Sequence, residues 1–135
     1  MITLLYAGLC SILVVFLAVR VAQWRFQHKI GIGDGGDREL LKRVRAHANA
    51  IENMPLALIL LGGMELNGYP APLVHGFGAT LFVSRTAHAW GLSHSSGTSR
   101  GRFLGTLFTW LLMLAMALFA IGGFVQQFLV ARGGA

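Results

Sequence analysis

Four apolar runs dominate the chain, each long enough to cross about 30 Å of hydrocarbon at roughly 1.5 Å per residue. They lie at about 2–24, 40–66, 73–92 and 103–130. A backbone in lipid must satisfy its own hydrogen bonds, so runs of this length fold as helices. The expected fold is all-α, an integral membrane four-helix bundle. At 135 residues, 55% apolar and 12% charged, the chain reads as a single transmembrane domain over 1–135, because soluble domains carry about a quarter charged residues. Little sequence is left for a separate soluble domain, so any activity is built from helix faces and short loops.

The first run is interrupted only by Thr3, Ser11, Arg20 and Gln23, and it reads as a retained span with Trp24 at the interface and Arg20 snorkelling outward. GIGDGGDRE, from Gly31 to Glu39, is rich in turn formers, and Asp37 is the expected amino-terminal cap of a second helix starting near Arg38. That helix begins in polar sequence and turns apolar only from Met54 to Met64. Glu65, Asn67, Gly68, Pro70 and Pro72 mark a tight hairpin into the third span, and SHSSGTSRGR, from Ser93 to Arg102, is a second polar loop.

Lysine and arginine are retained on cytoplasmic flanks. Arg25, Lys29, Arg38, Lys42, Arg43 and Arg45 flank the first loop and Arg100 and Arg102 the second, whereas the hairpin has none and the tail only Arg132. Both basic loops are expected to face the cytoplasm, with both termini on the opposite side. The net charge of +6 therefore follows the membrane and does not point to nucleic acid. Cys10, the single cysteine, lies inside the first span, which excludes an intrachain disulfide and assigns it to packing.

Charges inside spans cost a few kcal/mol each and normally face the bundle interior, a partner or a watery cavity. Arg45, Asn49 and Glu52 are spaced by four and then three, so they share one helical stripe, which Lys42 and Arg38 extend toward the surface. Arg85 and His88 share a face of the third span. The bland account is an ion pair of Glu52 with Arg45 or Arg85 that sets helix register. Convergence of five polar groups at one depth favours a site instead, a positive pocket beside lipid suited to a small anionic ligand paired with a hydrophobic one. No two histidines have the separation of a zinc site, so no metal is expected. Ser84 and His88 are one turn apart, without an oxyanion hole or orienting acid around them. His47 and His75 read as loop-facing or packing histidines. Phe108, Trp110, Met113 and Met116 read as lipid-facing or packing residues that still allow an apolar groove.

RVRAHANAIENMPLALIL from Arg43 to Leu60, followed by MELNG, resembles the signature of the MAPEG family, the membrane-associated proteins of eicosanoid and glutathione metabolism. SRTAHAWGLS from Ser84 to Ser93 and GRFLGTLFTW from Gly101 to Trp110 resemble its third and fourth helices in the right order, so the likeness covers nearly the whole chain. The short length and the GDGG loop are similar to the bacterial inner-membrane branch. The resemblance implies a homotrimer of four-helix protomers in the inner membrane, with glutathione as cosubstrate held between protomers near the cytoplasmic side. Its implied ligand-binding residues are Arg25, Arg45, Asn49, Glu52, Arg85 and His88, and Arg102 is its catalytic candidate, a guanidinium that would favour the thiolate. The implied activity is a glutathione transferase or peroxidase acting on hydrophobic electrophiles. Ala48 stands where glutathione-using members carry a further arginine, and Leu92 and Phe103 where some carry tyrosine and serine. Those losses define the alternative, a non-catalytic protein holding a lipid headgroup or other small anion in the same site. A small transporter or channel is a further rival, against which stand the absence of a pore motif and of an inverted repeat.

Overall fold

A computed structural model describes residues 1–94 and 99–133. It contains four helices: α1 (Ile2–His28), α2 (Arg38–Leu66), α3 (Ala71–His94) and α4 (Arg100–Gly133). By length and composition α1 and α4 are each apolar enough to cross a bilayer; α2 and α3 carry the charged stripes read from the sequence. Helices α2 and α3 form the middle of the bundle. Helix α1 packs on both from one side and α4 packs on both from the other, and α1 and α4 do not touch among the described residues.

Helical periodicity accounts for the core. Ala46, Ala50, Met54, Ala57, Leu61 and Met64 recur every three or four residues along α2 and are buried, as are Val74 and Leu81 on α3 and Leu112 and Met116 on α4. Lipid removes most of the hydrophobic drive between helices, so close approach of small residues takes its place. A Cβ on Gly78 would overlap the Tyr6 ring. Cys10 is buried, as expected.

Polar links close each end. Asp37 caps α2 as anticipated, its Oδ1 accepting the Glu39 and Leu40 backbone N–H groups. Its Oδ2 accepts the Trp24 indole N–H at 2.7 Å, and the Arg43 guanidinium lies 4.2 Å from the Trp24 ring centre. Trp24 is thus an internal strut as well as an end marker. At the far end the Glu65 carboxylate accepts the backbone N–H groups of Ile2 at 2.5 Å and Thr3 at 2.8 Å, satisfying donors that the first turn of α1 leaves open.

Two expectations change. Arg20 turns toward α3, where its Nη1 donates to Ser93 Oγ at 2.9 Å, a hydroxyl that satisfies part of its charge within the bundle. The second polar loop is shorter than read: Ser93 and His94 finish α3 and Arg100 to Arg102 begin α4, while 95–98 lie outside the described residues.

Candidate functional site

The basic end of the bundle joins the carboxyl ends of α1 and α3 to the amino ends of α2 and α4. Arg85 sits in the middle of that half, 3% exposed. Its Nη1 donates to Asn49 Oδ1 on α2 at 2.7 Å, and its Nη2 donates to the Gly105 carbonyl on α4 at 2.6 Å. One guanidinium therefore bridges three helices. The same carbonyl accepts Thr109 Oγ1 at 2.7 Å.

Small residues make this reach possible. A Cβ on Gly105 would stand 2.6 Å from the Ser84 carbonyl and 2.8 Å from His88 Cβ. A Cβ on Gly91 would stand 2.8 Å from the Arg102 backbone nitrogen. All three distances are far below van der Waals contact, so α3 and α4 lie together only with glycine at these points. That contact sets Arg102 beside His88.

Between α3 and α4 lies a cavity of about 360 Å³, lined by His88, Ser99, Arg102, Phe103, Thr106, Leu107 and Trp110. His88 is buried and Arg102 half-buried. Phe103 and Trp110 are exposed. The cavity thus has a cationic, hydroxyl-bearing wall and an apolar mouth, the lining expected for an amphipathic or electrophilic small molecule. Ser99 and Thr106 escaped the sequence reading, although Ser99, just before α4, and Thr106 on it keep helical spacing with Arg102, Phe103 and Trp110, and that spacing is their signal.

The residues expected at the site divide into three groups. Asn49 and Arg85 meet directly, and His88 and Arg102 share the cavity. Arg45 and Glu52 are on the same side of α2 as Asn49 but are exposed on the single chain. The ion pairs among the described side chains join Glu39 to Lys42 and Arg43, so neither anticipated partner pairs with Glu52. Arg25, near the end of α1, keeps Nη1 buried with no hydrogen-bond partner among the described residues, as does Arg85 at Nε. Of the histidines set aside, His75 Nδ1 is 3.1 Å from Tyr6 OH, which makes it a packing contact. Among the described residues no group of three or more histidine, cysteine or acidic side chains could hold a metal ion.

Fold and site together define a class: an integral-membrane four-helix bundle in which α3 and α4 set His88 and Arg102 in one cavity. The profile of the MAPEG family matches residues 3–122, and the chain belongs to that family. It is similar to inner membrane protein YecN of Escherichia coli K12, 36% identical over 118 residues that cover 87% of this chain and 88% of that protein. The protein of the same name from E. coli O6:H1 matches to the same extent.

Proposed function

We propose that this protein is a membrane-bound transferase or peroxidase that uses the glutathione thiol against hydrophobic electrophiles, with Arg102 as the catalytic residue. The observation that carries the reading is the shared cavity of His88 and Arg102, with its apolar mouth at Phe103, Leu107 and Trp110. A free thiol near its ordinary pKa of about 8.5 is mostly protonated at neutral pH. A guanidinium beside the sulfur favours the thiolate, and a half-buried one does so with less screening. The thiolate then forms a bond to an electrophilic carbon as the leaving group departs. With a lipid hydroperoxide it takes the terminal oxygen, releases the alcohol and is resolved by a second thiol to disulfide and water.

Glutathione carries two carboxylates, and the chain offers a donor that lacks a partner. Arg25 Nη1 is buried without a hydrogen bond among the described residues, a costly state that an anionic ligand would relieve. Arg45 and Glu52 are exposed on the protomer, although charge in a span is expensive in lipid. A homotrimer, in which a neighbouring protomer covers this face of α2 and shares the tripeptide, removes that cost. The excess of lysine and arginine at one end supports cytoplasmic placement of the site, with both termini opposite. The likeness to an inner membrane protein supports a bacterial inner-membrane location.

A second reading has its own support. Leu92 is buried and Phe103 exposed beside Arg102, so two side chains near the cavity offer no hydrogen bond. That arrangement favours a non-catalytic binder of a lipid headgroup or other small anion.

Calorimetry of glutathione with detergent-purified protein separates the two, together with thiolate absorbance on wild type and Arg102→Ala. Saturable binding with a thiolate signal lost in Arg102→Ala is the expected result. No binding at millimolar glutathione would leave the anion binder.

A further inference from the structure

A guanidinium has five N–H donors and no acceptor. The Arg85 Nη1 contact with the Asn49 side chain at 2.7 Å therefore identifies the Asn49 atom as its carbonyl oxygen. The amide has no other oxygen, so its NH2 is turned away from Arg85. Asn49 is only half-buried, and it lies on α2 between Arg45 and Glu52, four residues after one and three before the other. Arg85 cannot easily turn to a different partner, because it is 3% exposed and its Nη2 is anchored on the Gly105 carbonyl at 2.6 Å. That carbonyl is itself held where α4 meets Ser84 and His88 without room for a Cβ.

We infer that Arg85 is a positioning residue: it locks the Asn49 amide so that Asn49 turns its NH2 to the ligand as a donor, which favours an acceptor oxygen, most strongly a carboxylate, at that point of the α2 stripe. An unlocked asparagine could offer either end and would tolerate an ammonium donor. The locked one discriminates against an ammonium, since two donors facing each other leave each without a bond, and a hydroxyl, which can accept, gains only a neutral hydrogen bond. Arg85 then acts through Asn49 and need not touch the ligand. The ligand half of this inference rests on the proposed use of glutathione; the orientation of the amide does not.

Two sets of variants test it. Without ligand, Asn49→Asp keeps an oxygen toward Arg85, so its melting temperature in detergent should equal or exceed that of wild type, whereas Asn49→Leu should melt lower. Asn49→Asp melting below Asn49→Leu overturns the orientation. With glutathione, Asn49→Asp replaces the outward donor by an acceptor and should weaken binding about tenfold or more, the scale of a lost hydrogen bond to a charged group. Equal or tighter binding by Asn49→Asp overturns the donor-only assignment. Glutathione esterified at both carboxylates should lose most of that penalty, and an undiminished penalty overturns the carboxylate.

Arg85→Lys retains a donor-only head and should bind glutathione within about threefold of wild type, while Arg85→Gln, free to present either end, should lose about tenfold in affinity yet keep its thiolate absorbance at saturation. Equal losses of affinity and of saturated thiolate signal in Lys and Gln variants would mean that Arg85 serves only the fold. Should Arg85→Gln fail to fold, Arg85→Lys and Asn49→Asp still decide the matter. Wild type that binds no glutathione refutes the functional reading, and the amide orientation then stands or falls on the ligand-free melts alone.

Discussion

The Trp24 indole N–H donates to Asp37 Oδ2 at 2.7 Å while the other oxygen of the same carboxylate caps α2 through Glu39 and Leu40. One side chain therefore ends the loop, starts the second helix and ties it to the first. The Trp24 indole, then the Leu40 and Glu39 backbone N–H groups, hold the Asp37 carboxyl below its usual carboxylate range. A lowered folded-state pKa means that the ionised cap contributes its full stability above the unfolded value of about 3.9 and loses it as pH falls through the lower folded value. Wild type is expected to melt higher than Asp37→Asn at neutral pH, and the gap should close only below about pH 4. Circular dichroism melts across a pH series in detergent check this; a gap that closes near neutrality contradicts it.

Arg102 lines the α3–α4 cavity with His88, and it is expected to act on the sulfur more than on binding. Arg102→Ala should lower turnover on a model electrophile on the order of a hundredfold, with glutathione affinity changed far less, as for loss of one preorganised charge contact. Arg102→Lys should recover part of the rate. Steady-state kinetics separate kcat from KM, and a change confined to KM would make Arg102 a binding residue.

Gly105 and Gly91 set the spacing of α3 and α4. A Cβ at Gly105 would lie 2.6 Å from the Ser84 carbonyl, whereas one at Gly122 meets nothing within 4 Å. Gly105→Ala is expected to destabilise by about 1–3 kcal/mol through overpacking. Gly122→Ala should be neutral or slightly stabilising, since alanine is the better helix former. Thermal melts of the two variants provide the comparison, and equal effects would refute the close approach.

Glu52 is exposed on the protomer and joins none of the ion pairs found among the described residues. Glu52→Gln should therefore leave the helical content of the chain unchanged while weakening glutathione about tenfold, the scale of one charged hydrogen bond. Circular dichroism and calorimetry on one preparation report both. A collapse of helicity would place Glu52 in the fold of the single chain.

Much of the architecture is written in local sequence. Four apolar runs give four helices because lipid leaves the backbone no other partners, and Asp37 caps α2 because a carboxylate before a helical run accepts its open N–H groups. The stripe of Arg45, Asn49 and Glu52 is legible for the same reason, since helical spacing is a local rule. Arg20 was misplaced because its partner Ser93 is 73 residues away, and no pattern along α1 encodes that distance.

The sequence by itself determined the all-α membrane fold, the order of the helices and which residue types share a stripe, because hydropathy and helical periodicity act over neighbouring residues. Only the tertiary structure decided that Arg85 holds Asn49 rather than Glu52, that it reaches Gly105 as well, and that Ser99 and Thr106 join His88 and Arg102 in one cavity. Those relations depend on how closely α3 and α4 approach and how each helix is rotated about its axis. Both are set by packing at Gly91 and Gly105, a property of two surfaces in contact that neither segment carries alone.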